Sequence, residues 1–250
     1  MARANVKGKG LVPMMDLQPG DEVMVGDGTY EPIYAFAHYA PTIKASFLQM
    51  STSLGSMIEV TPEHLIFVKD KTDPVRADEI VVGDLLQVAS GDDLMSVTEI
   101  RFVELEGLFA PLTVDGTIAV EGIKASCYIW TGATPINQHK LTHMTLAPFR
   151  WLCSEASFGF CHSYTEKGMP HFVDYGLQLA AWFDTVQANH FVKAIMLMAY
   201  LLVIGAMRMI EVVFCESRNF WLPAVFFTVF VTMIGRKNGV EFYVRKVKVI

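Results

Sequence analysis

The sequence predicts an all-β domain over residues 1–133, followed by an α-helical, membrane-associated C-terminal region. Three observations carry this reading. From Leu11 to about Thr131, short runs of strand-forming residues alternate with turn signals at roughly ten-residue spacing, and nothing supports a helix of three turns. After Pro135 the apolar residues fall at helical spacing instead. Beyond Phe191 come two nearly unbroken apolar runs, with too little polar sequence around them to bury them in a soluble domain.

The strand runs are EVMV, IYAFA, MIEV, LIFV, LLQVA, LMSVTEI and TIAV. Between them lie Pro19-Gly20-Asp21, Gly26-Asp27-Gly28, Gly91-Asp92-Asp93 and Asp115-Gly116, where glycine admits a positive φ and aspartate bonds the turn backbone. MDLQPGDEVMV (15–25) echoes ADEIVVGDLLQV (77–88) at an offset of 63. Asp16, Leu17, Gly20, Asp21, Val23 and Val25 fall on Glu79, Ile80, Gly83, Asp84, Leu86 and Val88. Such an echo predicts a β domain built from two similar halves, a pseudo-two-fold fold.

HKLTHMTLAPFRWLC and FVDYGLQLAAWFDTV make residues 134–190 an amphipathic helical linker region. AIMLMAYLLVIGAM, from Ala194 to Met207, is fourteen residues without a charge. Phe191 to Val213 extends it around Lys193, Arg208 and Glu211, and FWLPAVFFTVFVTMI (220–234) follows. Residues 191–235 are therefore expected to meet membrane lipid as a hydrophobic helix or helical hairpin. Lys193 and Arg208 would reach towards headgroups and Trp221 would sit at the interface. Arg208 and Glu211, three residues apart, would neutralise each other. The last segment, 236–250, is a basic tail.

Charge divides the chain in the same place. Residues 1–133 hold 9 Lys+Arg against 19 Asp+Glu, and residues 134–250 hold 11 against 7. An acidic front with no basic stripe argues against nucleic acid as a partner. The four cysteines, at 127, 153, 161 and 215, form no CxxC and define neither a disulfide framework nor a compartment. The opening MARANVKGKG has no apolar segment, so no signal peptide is visible. His139 and His143 have a metal-compatible i, i+4 spacing, and Cys153, Cys161 and His162 could join them. Nothing in the spacing requires it, so neither a metal nor a cofactor is expected.

The chemistry-bearing stretch is VTPEHLIFV (60–68). Thr61, Pro62 and Glu63 make a good one-turn start on structural grounds alone. Their surroundings say more. LVPMMDLQPGDEVM, then VTPEHLIFV, VVGDLL and APLTVDGTIAVEGIKASCY, in that order over residues 6–131, resemble the autoprocessing Hint domain. That domain is shared by inteins and the C-terminal part of Hedgehog proteins, and Leu108 to Tyr128 resembles the Hedgehog branch.

The resemblance implies self-cleavage. A cysteine opening the domain attacks the carbonyl before it, a thioester replaces the peptide bond, and a second nucleophile releases the upstream segment. Thr61 would bond the scissile amide and His64 would protonate the departing nitrogen, a role suited to imidazole near neutral pH. Cys127 matches a family cysteine that lies close to the nucleophile. The nucleophile's place falls just ahead of Met1, so this chain as written is not expected to cleave itself. His38 stands where the Hedgehog branch has an aspartate that activates a sterol hydroxyl. Histidine can serve as a base, but no sterol-binding segment is recognisable after residue 131, which leaves water or a thiol to resolve the thioester. The expected partners are the chain's own upstream segment and membrane lipid. The competing expectation is an inactive, membrane-tethered β module that binds a partner, with a soluble β domain carrying a helical dimerisation hairpin as a third.

Overall fold

The front half folds as strands because its apolar side chains alternate with polar ones between turns that glycine and aspartate can close. The structure, a computed structural model, describes residues 2–91, 93–130, 137–147, 149–150, 153 and 159–174, and single positions at 178, 198, 202, 205 and 206. The chain divides into two compact units, Met1–Ile204 and Gly205–Ile250. In the second unit Gly205 and Ala206 are helical.

The larger sheet of the first unit runs in the order β4 (Tyr30–Pro32), β3 (Glu22–Met24), β1 (Arg3–Val6), β11 (Thr117–Val120), β12 (Ile123–Ile129), β7 (His64–Ile66) and β8 (Val75–Arg76), with β2 (Gly10–Pro13) also paired to β1. The smaller sheet runs β6 (Met57–Val60), β5 (Ala35–Thr52), β10 (Leu94–Leu112) and β9 (Leu85–Gln87). Its two central strands are 18 and 19 residues long, where the sequence shows only the short runs IYAFA and LMSVTEI. Both ends of each strand are buried and the middle is exposed, so the central part carries little apolar signal. The core joins both sheets: Val6, Ile66 and Ile123 from one meet Phe36, Met50 and Leu112 from the other.

The internal echo is reproduced bond for bond. Met14–Asp16 and Ala77–Glu79 are both 3-10 turns. After them, Gly20 at φ +90° and Gly83 at φ +99° donate to Ile33 O and Val97 O, each at 2.8 Å. Asp21 Oδ2 accepts from Gln18 N, and Asp84 Oδ2 accepts from Val81 N, each at 2.9 Å. Ile33 N and Val97 N return the bond to Asp21 O and Asp84 O, again at 2.9 Å.

Past the sheet, α1 (Gln138–Thr145) starts at Asn137, whose Oδ1 accepts from Lys140 N at 2.9 Å. Helical conformation recurs at Ala147, Phe149, Arg150 and Cys153, in line with the apolar spacing of 139–153. Among the described residues no helix is long and apolar enough to cross a membrane. The runs 191–213 and 220–234 lie outside the described residues, apart from Met198, Leu202, Gly205 and Ala206, which are helical.

Candidate active site

The site is built where β12 fails to match β7. Ala125 pairs with Ile66 and Ile129 with His64, so residues 126–128 all lie opposite Leu65 alone. A bulge of this kind takes backbone groups out of the ladder and re-aims them, and here three of them find other partners. Cys127 N donates to Gly116 O at 2.8 Å, on the side away from β7. Tyr128 N donates to Ser126 Oγ at 3.0 Å. Ser126 O accepts from His64 Nε2 at 2.8 Å.

Thr61 lies half-buried at the entrance to β7, in a turn closed by His64 N donating to Thr61 O at 3.0 Å. Pro62 occupies the position where its fixed φ suits such a turn. Trp130 N donates to Glu63 O at 2.8 Å, which ties this turn to the end of β12. The turn chemistry read from the sequence is therefore real, and it also delivers the His64 side chain to β12.

A carbonyl can only accept, so His64 Nε2 carries the hydrogen and Nδ1 is the nitrogen that can take up or release a proton. Burial pushes the imidazole below its ordinary pKa, with the Ser126 carbonyl acting in the opposite sense. His64 is thus neutral near pH 7.

Cys127 is a free, buried thiol, with Sγ 3.5 Å from Thr113 Oγ1. Because Thr113 Oγ1 donates its own hydrogen to Thr117 O at 2.8 Å, the thiol is the donor in that contact. Desolvation pushes its pKa up to about 12, so it stays protonated and is a poor nucleophile.

His38 lies on β5 beside Ala110 of β10, half-buried, and its buried Nε2 has no hydrogen-bond partner among the described residues. Burial lowers its pKa, opposed by the backbone at Lys167. The 159–174 segment packs here, with Tyr39 N donating to Gly168 O at 2.6 Å and the Tyr164 ring 5.8 Å from that of Tyr39. The structure thus ties His64 to the strand that carries Cys127, leaves Thr61 in the turn just ahead of β7, and sets His38 on the other sheet.

His139 and His143 each bond a hydroxyl of β12 through Nδ1. Their rings stack at 6.0 Å, His139 Nδ1 bonds Ser126 Oγ at 2.9 Å, and His143 Nδ1 bonds Tyr128 OH at 2.9 Å. Cys153 and Cys161 form a disulfide, a pairing the sequence spacing did not signal, which removes both from any metal set. Among the described residues no cluster of three or more His, Cys, Asp or Glu side chains is placed to hold a metal ion. Ser126 and Thr113 are the contributors that sequence reasoning missed. ASCY displayed the serine, but the carbonyl that matters is a backbone group and leaves no residue signal.

A turn-borne threonine and histidine close to a buried cysteine, on a β fold with an internal repeat, agree with the Hint resemblance read from the sequence. The model of the Hint module matches residues 1–185, and the chain belongs to that family. It is 34% identical to Warthog protein 1 of Caenorhabditis elegans over 46% of this chain and 26% of that protein. With the Sonic hedgehog protein of Xenopus laevis it shares 31% identity, over 63% of this chain and 37% of that protein. With the hedgehog protein of Drosophila virilis the identity is 31%, over 56% of this chain and 30% of that one. The chain therefore spans only about a quarter to just over a third of the length of these relatives. Among solved structures it is similar to the gp41-1 intein at 16% identity and TM-score 0.43, covering 50% of this chain and 93% of that one. The bacterial intein-like domain of Clostridium thermocellum gives 19% identity and TM-score 0.41, covering 50% and 94%.

Proposed function

We propose that this domain cleaves the peptide bond joining it to a preceding segment, by an N-to-S acyl shift. The observation that carries the reading is the 2.8 Å bond from His64 Nε2 to Ser126 O, which joins the two motif-bearing stretches beside Cys127. The attacking thiol is a cysteine that an extended form of the chain presents ahead of β1. Its proton passes to His64 Nδ1 as sulfur bonds to the carbonyl carbon, with Thr61 Oγ1 holding the scissile amide. The C–N bond then breaks, the same proton goes from His64 to the departing nitrogen, and a thioester remains. A neutral imidazole suits both transfers, because it first accepts and then returns one proton. Water, a thiol or a lipid alcohol attacks the thioester, with His38 as the base for that step. His38 in place of the Hedgehog-branch aspartate favours the first two over a sterol.

Residues 191–235 attach the chain to membrane lipid, a reading that rests on their hydropathy, and protein left in the supernatant after alkaline carbonate extraction would overturn it. The Cys153–Cys161 disulfide supports an oxidising compartment such as the secretory pathway.

The test is an N-terminally extended chain with a reporter domain and a cysteine ahead of Met1. Wild type should release the reporter, faster with added dithiothreitol, which captures the thioester. His64→Ala should slow release by about 100-fold or more. Equal release by wild type and H64A refutes the mechanism. No release from any form favours the inactive, membrane-tethered binding module.

A further inference from the structure

Ser126 is engaged at both ends, through its backbone carbonyl and through its hydroxyl. Its carbonyl holds His64 Nε2 at 2.8 Å, while its hydroxyl accepts from Tyr128 N at 3.0 Å. In an unbulged strand that amide would look for a partner on the neighbouring chain, so the hydroxyl is what keeps the bulge satisfied. Oγ accepts from Tyr128 N, and His139 Nδ1 lies 2.9 Å from it, within reach of the hydroxyl's own hydrogen when Nδ1 carries none.

We propose that His139 is a positioning residue for the cleavage reaction: by accepting from Ser126 Oγ it fixes the β12 bulge and so aims the carbonyl that holds His64. This rests on the autoprocessing reading above and makes α1, which follows the last strand, part of the active-site scaffold.

The imidazole of His139 is held from three sides. Its ring stacks on His143 at 6.0 Å with 9° between planes, meets Phe67 edge-on at 5.5 Å and lies 5.3 Å from Tyr128. Phe67 directly follows β7 and Tyr128 lies in β12, so His139 packs on β12 and on the residue next to β7, the two strands whose mismatch forms the site. Burial keeps it neutral, with Asp115 and Asp73 pulling one way and Lys124 and Lys140 the other, as an acceptor at Nδ1 requires. The base of the helix is anchored too, because Asn137 Nδ2 donates to Asp73 Oδ1 beyond β7. Removing the acceptor leaves the Ser126 hydroxyl free to rotate and the Tyr128 amide without a fixed partner. The Ser126 carbonyl then loses its fixed direction, and displacements of about 1 Å at a catalytic group cost on the order of 100-fold in rate.

The experiment reads His64 directly in the full chain, by nitrogen-15 NMR of the imidazole rings, in wild type, His139→Phe, His139→Asn and Ser126→Ala. Phenylalanine keeps the ring packing and lacks the acceptor. Asparagine restores an acceptor near the Nδ1 position. Wild-type His64 should show a single Nε2–H tautomer. H139F and S126A should show an admixture of the Nδ1–H form, and H139N should return to the wild-type signature. In the extended, cleavable form, H139F should release the reporter roughly 10- to 100-fold more slowly than wild type, with recovery in H139N. A wild-type tautomer signature in H139F and S126A overturns the proposal, as does wild-type cleavage in both. If H139F fails to fold, S126A removes the same bond from the other side and decides alone. If no form cleaves while the tautomer still follows residue 139, the positioning stands and the proposed function falls.

Discussion

Gly116→Ala should loosen α1 from the strands it covers. Gly116 has φ +79°, a conformation in which a side chain costs about 1–2 kcal/mol. Space is the larger obstacle. A Cβ there would lie 2.6 Å from His143 Nδ1, 2.8 Å from Tyr128 OH and 3.0 Å from Tyr128 Cε2. The first two are the ends of the 2.9 Å Tyr128–His143 bond, so the methyl group acts as a wedge inside it. Losing a buried hydrogen bond adds about 1–3 kcal/mol, for a total of about 2–5 kcal/mol. Gly122→Ala is the matched control, at the other end of the same β11 strand with φ +83° and only Met95 Cε within reach, at 3.6 Å. It should lose the backbone share alone, about 1–2 kcal/mol. Urea unfolding gives both losses, and amide hydrogen exchange should show faster opening across 138–145 in the Gly116 variant only. Losses within about 0.5 kcal/mol of each other, with α1 equally protected, would refute the wedge.

Other consequences are equally open to measurement. His38, His64 and His139 all have folded pKa values depressed by burial, so the unfolded chain binds more protons below its histidine pKa of about 6.5. The stability held above that pH should therefore fall as pH drops from 7 towards 5, and a melting temperature that stays flat or rises would contradict it. Opening the Cys153–Cys161 bridge, eight residues apart, should cost about 2.5 kcal/mol by loop closure, read as a lower Tm with reductant. Cys127 should resist a disulfide reagent in the native chain and react only after unfolding, as peptide mapping can verify; native-state modification would contradict its burial and raised pKa. Asp21→Ala and Asp84→Ala should cost nearly the same, about 1 kcal/mol each, because each removes one equivalent turn bond. Asp21 should lose slightly more, since it also pairs with the exposed Lys9.

The fold class was legible because turns write themselves in residue types. Gly20-Asp21 and Gly83-Asp84 need a positive φ and a turn-bonding carboxylate, and both demands are visible as letters. MIEV and TIAV are strands to the residue, since their alternation or apolar run ends at a turn. The 18- and 19-residue arms were not legible, because their exposed centres, such as Pro41 to Lys44, have no face to bury. Thr61 and His64 could be read through resemblance and local turn chemistry. The Cys153–Cys161 pairing could not, since spacing alone fits a metal ligand, a free thiol or a bridge. His139 and His143 were visible as a pair at i, i+4, but that periodicity does not tell a metal from a hydroxyl. Ser126 and Tyr128 supply the hydroxyls, and strand β12, which brings them there, was not among the strand runs read from the sequence.

Why the imidazole is held by a carbonyl, and not by a carboxylate, follows from what the proposed reaction asks of it. A carboxylate beside buried His64 would favour the imidazolium and fill the proton-accepting position before the reaction began. A backbone carbonyl fixes the same tautomer with no net charge, and burial then keeps the ring neutral. Such a group can take a thiol proton and return it to the leaving nitrogen within one turnover. The cost is positional. A carbonyl in a regular ladder is already committed to the neighbouring strand, so one must be freed and aimed. The bulge at 126–128 frees it, and the Ser126 hydroxyl satisfies the amide that the bulge strands. On this argument the two additional residues in β12 are as much a part of the site as the TPEH turn. Inserting two residues beside Leu65, which lets β7 match β12 without a bulge, should disable His64 while Ser126, Cys127 and Tyr128 all remain.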